Sequence, residues 1–350
     1  MAIKNILTVD VEDWYHICDI EHILPRSSWD RCESRILINV ERILTLLSRF
    51  RVKATFFVLG YVAERTPEVV KMIYGEGHEI ASHGYGHVQV YKQERKEFLR
   101  DLLRSKSLIE GIIGSDEEKV IGYRAPEWSI YGALQPGEPA GASFVAKAGK
   151  GKRDSYWALD LLVENGFIYD SSIAPLRFIG IPNAPTAPYT LSTPYGEIRE
   201  FPPLVMRSPL GNLPIGGGWG LRIFPYQNIR RTIERLNHRG HPVLIFCHPS
   251  DFDSLPPRIA LPWIKRFVCY GKIRTTEERM IRLLNDFEFI SIKNFILTEE
   301  YELPRRKQRG IKDHNGENPS PQGAGYSPGR NKIPIQNAPL PLSSMGRGMG

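Results

Sequence analysis

Short apolar runs that suit buried strands alternate with stretches of helical periodicity, and this alternation most constrains what the chain can fold into. Ile3 to Val9 is a mostly apolar run of β character that ends in Asp10-Val11-Glu12-Asp13. Residues 34–50 then place Ile36, Val40, Ile43, Leu44 and Leu47 at helical spacing. Residues 54–60 read as a second buried strand. Thr66-Pro67 is an N-cap and first-turn pair that opens a helix ending near Gly75 and Gly77. Residues 78–82 form a third strand and 94–113 a long helix. Further strands are expected at 121–124, 167–169, 242–247 and 287–292, and helices at 156–164, 225–237 and 276–284. Such a rhythm predicts parallel βαβ units, hence an α/β barrel or an open doubly wound sheet. In both, active-site residues gather where strands end and loops begin.

Two segments break the rhythm. Residues 131–153 are rich in Gly, Ala, Pro and Lys and read as a surface insertion. Residues 304–350 are heavy in Pro, Gly, Asn and Ser and read as a disordered basic tail. The tail has eight Lys/Arg against Asp313 and Glu317, so it carries +6 of the formal +7 and leaves +1 for the body. That distribution speaks against nucleic-acid binding. Cys18, Cys32, Cys247 and Cys269 show no framework spacing and read as reduced thiols. With no signal-like stretch after Met1 and no run of transmembrane length, a cytoplasmic address is expected.

The strongest chemical signal is His83-Gly84-Tyr85-Gly86-His87, directly after an apolar strand. Two histidines four apart, in a loop flexed by glycines, can present both imidazoles to one ion, and a catalytic zinc site needs a third ligand and an open position. A carboxylate of Asp10-Val11-Glu12-Asp13, at another strand end, can supply it. Strand alternation puts Asp10 and Glu12 on one face and Asp13 on the other. His248 ends the run Val243-Leu244-Ile245-Phe246-Cys247, where a titratable side chain is placed for proton transfer. Arg124, in Gly122-Tyr123-Arg124-Ala125-Pro126, ends a strand and can pair with the acidic cluster.

Together these residues resemble the polysaccharide deacetylases of the NodB-homology type, carbohydrate esterase family four, whose fold is a distorted (β/α)7 barrel. Thr8-Val9-Asp10-Val11-Glu12-Asp13 is similar to the family's T-F-D-D motif, and His83 and His87 keep the spacing of its metal histidines. Arg124-Ala125-Pro126, Tyr169-Asp170-Ser171-Ser172 and Phe246-Cys247-His248 follow in the family's order. Asp-Val-Glu-Asp-Trp, Arg199-Glu200-Phe201-Pro202-Pro203, Gly216-Gly217-Gly218-Trp219 and His248-Pro249 resemble a subgroup found with exopolysaccharide and exosortase loci.

The resemblance implies a barrel over 1–249, carrying the 131–153 insertion, and a C-terminal extension of unknown function over 250–303. It implies a divalent ion, zinc above others, held by His83, His87 and Glu12, with Asp13 as the alternative carboxylate. Asp10 would be general base, Arg124 its positioner, His248 general acid and Asp170 the tuner of His248. Removal of N-acetyl groups from a polysaccharide or its precursor is the implied reaction, with peripheral association to polysaccharide-synthesis machinery as a partner call. Allantoinase-like hydrolysis of a cyclic amide and non-catalytic glycan binding are the alternatives. Trp14, Tyr85, Trp128 and Trp219 lie near motif positions and are candidates for stacking on sugar rings.

Overall fold

The computed structural model describes residues 3–298, apart from 116, 133–152, 178 and 254. The tail 304–350, and all of the insertion except Tyr131, Gly132 and Arg153, lie outside the described residues.

Eleven strands are described: β1 (Asn5–Val11), β2 (Thr55–Val58), β3 (Glu79–Ser82), β4 (Gly122–Tyr123), β5 (Tyr169–Asp170), β6 (Tyr189–Thr193), β7 (Gly196–Glu200), β8 (Val205–Ser208), β9 (Gly211–Pro214), β10 (Leu244–Cys247) and β11 (Phe289–Ile290). The main sheet runs β10-β1-β2-β3-β4-β5-β7-β6 and is parallel until β6, which pairs antiparallel with β7. The seven parallel strands along this path follow the expected (β/α)7 plan, but the path ends at β10 and β6, so the sheet is a curled half-barrel and not a closed ring. β11 adds to β1 through Asn5↔Phe289, which returns the chain after residue 250 to the sheet.

Every residue of β1 is buried, as a parallel strand covered on both faces requires. Leu7, Val9 and Val11 join the larger core, where helices cover the sheet. Ile6 belongs to a second core with Phe57, Ala81, Tyr169, Leu244 and Phe246. Strand periodicity therefore sets Ile6, Thr8 and Asp10 on this inner face, and Asp10 is the last of them.

The helices bury the stripes their spacing announced. Helix Ile36–Arg49 buries Ile36, Val40, Ile43, Leu44 and Leu47. Helix Arg95–Ile113 starts in a capping box of Glu94 and Glu97 and stops at Gly114, whose φ of 66° is left-handed. Pro67 opens the helix Pro67–Gly75 as expected. Thr66 makes no side-chain cap, because its backbone already closes the preceding helix Gly60–Arg65. The hairpins β6–β7 and β8–β9 and the helices Gly218–Ile223 and Trp263–Tyr270 are additional to the sequence expectation. Among the described residues no helix is long and apolar enough to cross a membrane.

Candidate active site

Three loops meet where β1, β3 and β10 end. Beyond β1, the Glu12 carboxylate lies 3.5 Å from His83 Nε2 and 3.0 Å from His87 Nε2. The loop carrying both imidazoles is tightly built. Asp101 accepts the backbone N–H groups of Tyr85 (2.7 Å) and Gly86 (2.8 Å). Gly84 has a φ of +73°, and a Cβ there would come within 2.8 Å of Asp101 Oδ1. His87 is itself left-handed at φ 52°, a strained conformation for a non-glycine residue.

Each imidazole is oriented through its far nitrogen. His83 Nδ1 donates to the Arg124 carbonyl (2.7 Å), which leaves Nε2 with its lone pair toward Glu12. His87 Nδ1 lies 3.5 Å from Cys18 Sγ. His87 Nε2 is buried and makes no hydrogen bond although Glu12 is beside it. Two imidazole nitrogens and a carboxylate oxygen, all within 4.8 Å of one another, with one buried nitrogen lacking a partner, fit a tetrahedral divalent ion with a position to spare. Burial pushes the Glu12 carboxyl up, but His87, His83 and His248 outweigh it and hold it well below its ordinary value. Burial lowers His87, yet Glu12 and Cys18 lift it well above the usual imidazole range.

Asp10 sits behind this trio. Arg124 Nη1 donates to its Oδ1 over 2.5 Å and to Thr8 Oγ1 over 2.9 Å, and Nη2 donates to Ser171 Oγ over 2.8 Å. The guanidinium lies 4.1 Å from the Phe57 ring centroid, and both charged side chains are almost fully buried. His248, just past β10, faces the carboxylates, with Nε2 3.9 Å from Asp10 Oδ2 and 3.6 Å from Glu12 Oε1. Its Nδ1 lies 3.1 Å from Asp251 Oδ2, and Arg222 grips the other Asp251 oxygen. Burial works against a charged His248, but Asp251, Glu12 and Asp10 carry it to about 9.

The structure thus brings Asp10, Glu12, His83, His87, Arg124 and His248 together, and places Asp13 and Asp170 elsewhere. Asp13 accepts from Ser34 Oγ (2.7 Å) and from the backbones of Trp14 and Arg35, so it organises the loop after β1. Asp170 does not touch His248. It accepts from Ser172 Oγ and forms a buried carboxyl pair with Glu200, opposite it in β7. Asp251 takes the place beside His248 that sequence reading offered to Asp170. Its signal was a carboxylate three residues after a strand-end histidine, the spacing of a capping box, which His248 and Asp251 form.

The trio opens into a cleft of about 660 Å³, walled by Trp14, Trp128, Trp219, Leu176 and Phe246. Gly217 lets its wall approach, since a Cβ there would lie 2.3 Å from the Phe246 carbonyl oxygen. Tyr85 is turned away from the cleft, its hydroxyl on Glu64 and its ring under Arg104.

A curled parallel sheet with a His/His/carboxylate cluster at its strand ends defines an α/β protein with a candidate catalytic metal centre. Residues 29–134 match the polysaccharide deacetylase family, and residues 171–297 match a domain of unknown function, DUF3473. The chain is 37% identical over 73 residues to a peptidoglycan-N-acetylglucosamine deacetylase of Bacillus cereus, covering 21% of this chain and 26% of that protein. The crystal structure of a polysaccharide deacetylase from Mycobacterium smegmatis, itself described with its function unproven, superposes with a TM-score of 0.54. It shares 20% identity and covers 90% of this chain and 93% of its own. The Puue allantoinase crystal structure superposes at 0.52 with 15% identity, over 85% of this chain and 90% of that one. These two likenesses speak for the fold alone. The segment 29–134 is thus similar to the polysaccharide deacetylase family, and the domain of unknown function follows it in the chain. It spans 26%, 37% and 22% of the length of the first three curated relatives that it matches.

Proposed function

We propose that the chain is a metal-dependent deacetylase of N-acetylhexosamine glycans, and that Zn²⁺ is the ion His83, His87 and Glu12 hold. The observation that carries this reading is the pair of opposed proton-handling groups around that trio. Asp10 is fixed on Arg124 through one oxygen and keeps the other toward the site, and His248 stands within 4 Å of both carboxylates. A bound divalent ion would supply Lewis acidity toward the acetyl carbonyl and a water of lowered pKa. Asp10 takes the proton of the attacking water, and Arg124 keeps that carboxylate from rotating away. His248, protonated through Asp251, hands its proton to the departing amine nitrogen. The products are acetate and a glycan bearing a free amine.

An open cleft with Trp14, Trp128 and Trp219 in its walls suits stacking of successive sugar rings, more than enclosure of a small cyclic amide. Residues resembling the exopolysaccharide subgroup point to a polymer precursor as substrate. Four cysteines that form no disulfide agree with work in a reducing compartment before export.

Acetate release from N-acetylglucosamine oligomers, before and after chelation and Zn²⁺ restoration, tests the reading. Release that vanishes on stripping and returns with Zn²⁺ is the expected result. No release at any metal occupancy, with turnover of allantoin instead, would replace it with the cyclic-amide reading.

A further inference from the structure

The segment between Asp253 and Glu277, inside the matched domain of unknown function, has a polarity that deacetylation does not use. Its helix Trp263–Tyr270 has no buried residue. Trp263, Ile264, Phe267 and Val268 are 79%, 57%, 46% and 36% exposed. At 100° per residue these four form one continuous stripe. Lys265 and Cys269, on the other side of the helix, line the cleft, and Lys265 donates to the Cys18 carbonyl. The helix is therefore amphipathic with its apolar side turned to water. Leu255, 72% exposed, precedes it, and Leu210, 85% exposed at the β8–β9 turn, stands with Val268 on the cleft lining.

The charge within this segment has one sign, although Asp19 from the loop after β1 faces Lys265. From Leu255 to Thr275 the chain has Arg258, Lys265, Arg266, Lys272 and Arg274 and no acidic residue. Arg266, Lys272 and Arg274 are exposed. Monomeric proteins seldom leave so many large apolar side chains together in solvent. The centre of a protein–protein interface is depleted in charge, whereas a Trp-bearing apolar stripe set among exposed cations is the composition of helices that lie in the headgroup region of anionic membranes.

We propose that this rim seats the protein on an anionic phospholipid surface. Trp263, Ile264 and Phe267 enter the boundary between headgroups and acyl chains, and Arg266, Lys272 and Arg274 meet the phosphates. The cleft then opens beside the bilayer, where a lipid-linked glycan would be presented. The docking itself is independent of the deacetylation reading, because it uses none of the site residues.

The test uses the full chain with vesicles of phosphatidylcholine and phosphatidylglycerol in equal parts, and with phosphatidylcholine alone. Sedimentation is expected with the anionic vesicles and weakened about tenfold in the Trp263→Ser/Phe267→Ser variant. The basic residues beyond Pro304 also attract anionic headgroups, so a second measurement reads insertion directly. Lipids brominated in their acyl chains should quench tryptophan fluorescence of the native chain, and Trp263→Phe should remove that quenching. Native protein that is not quenched, or a double variant that sediments unchanged, overturns the proposal. So does a self-association, seen without vesicle binding and abolished by the same two substitutions, which would give the face to a second copy of the chain.

Discussion

Asp251 holds His248 through a 3.1 Å contact at Nδ1 while Arg222 grips its second oxygen, so the imidazole that faces Asp10 and Glu12 is fixed from behind by a buried ion pair. Asp251 itself is pushed up by burial but brought down to about 2 by Arg222 and His248. It therefore stays anionic over the whole working range.

The His248 value of about 9 sets a pH limit. The general-acid role proposed for His248 requires its proton, so turnover should fall as pH rises through that region, and at lower pH when a cation sits nearby. Asp251→Asn should move this alkaline limb down and cut kcat about 10- to 100-fold with metal affinity retained. An unchanged limb in pH–rate profiles would remove Asp251 from the mechanism. For stability, a raised imidazole contributes fully below about pH 6.5 and that contribution is lost as pH climbs through about 9.

His87 is held well above the usual imidazole range by Glu12. Metal binding at pH 7 should therefore expel about one proton. Calorimetric titration of Zn²⁺ in buffers of different ionisation enthalpy measures this directly. His87→Ala should abolish the release and weaken Zn²⁺ by more than about 100-fold, and full affinity in that variant would move the ion elsewhere.

Arg124 and Asp10 are buried together, with side chains 1% and 3% exposed. Arg124→Met leaves Asp10 without its countercharge and should cost about 3–5 kcal/mol in urea unfolding. Asp10→Asn/Arg124→Met should recover part of that loss while remaining inactive. A double variant no more stable than Arg124→Met alone would show that the lost cation–π contact with Phe57 dominates.

Asp170 and Glu200 form a buried carboxyl pair. Desolvation carries Asp170 to about 6, and desolvation plus the Asp170 charge pushes Glu200 well above its ordinary value. Both folded-state values exceed the unfolded ones, so their stabilisation is complete below about pH 4 and declines as pH rises through 6 and beyond. Glu200→Gln should flatten that decline between pH 5 and 8 in urea titrations. A wild-type stability that rises over this interval in step with the variant would refute the upward shift of the pair.

The legible part of this molecule is what local pattern dictates. The buried stripe of Ile36–Arg49, the capping box before Arg95–Ile113 and the apolar runs of β1, β2 and β10 all act within a few residues. The pairing of Asp10 with Glu12 followed from strand alternation. The hairpins β6–β7 and β8–β9 were not legible, because their strands are short and only partly buried, so periodicity is weak. Asp251 beside His248 had only the three-residue spacing of a capping box to announce it, whereas the distance of Asp170 from His248 depends on which strand ends meet across the sheet. In Trp263–Tyr270 the apolar stripe faces outward, where the usual reading of a stripe assigns it to the core.

β1 leads to both candidate catalytic carboxylates, Asp10 within it and Glu12 just beyond, yet its hydrogen-bond partners include Leu244 to Cys247 and Phe289 to Ile290, more than two hundred residues downstream. A nascent chain emerging from the ribosome therefore holds Asp10 and Glu12 at the end of a strand with one flank still unmade. Until the last third is synthesised, the proposed site lacks His248 and the native pairing of the strand that positions Asp10. Assembly of the site is consequently a late, all-or-none event in biogenesis, and truncated translation products should be inert.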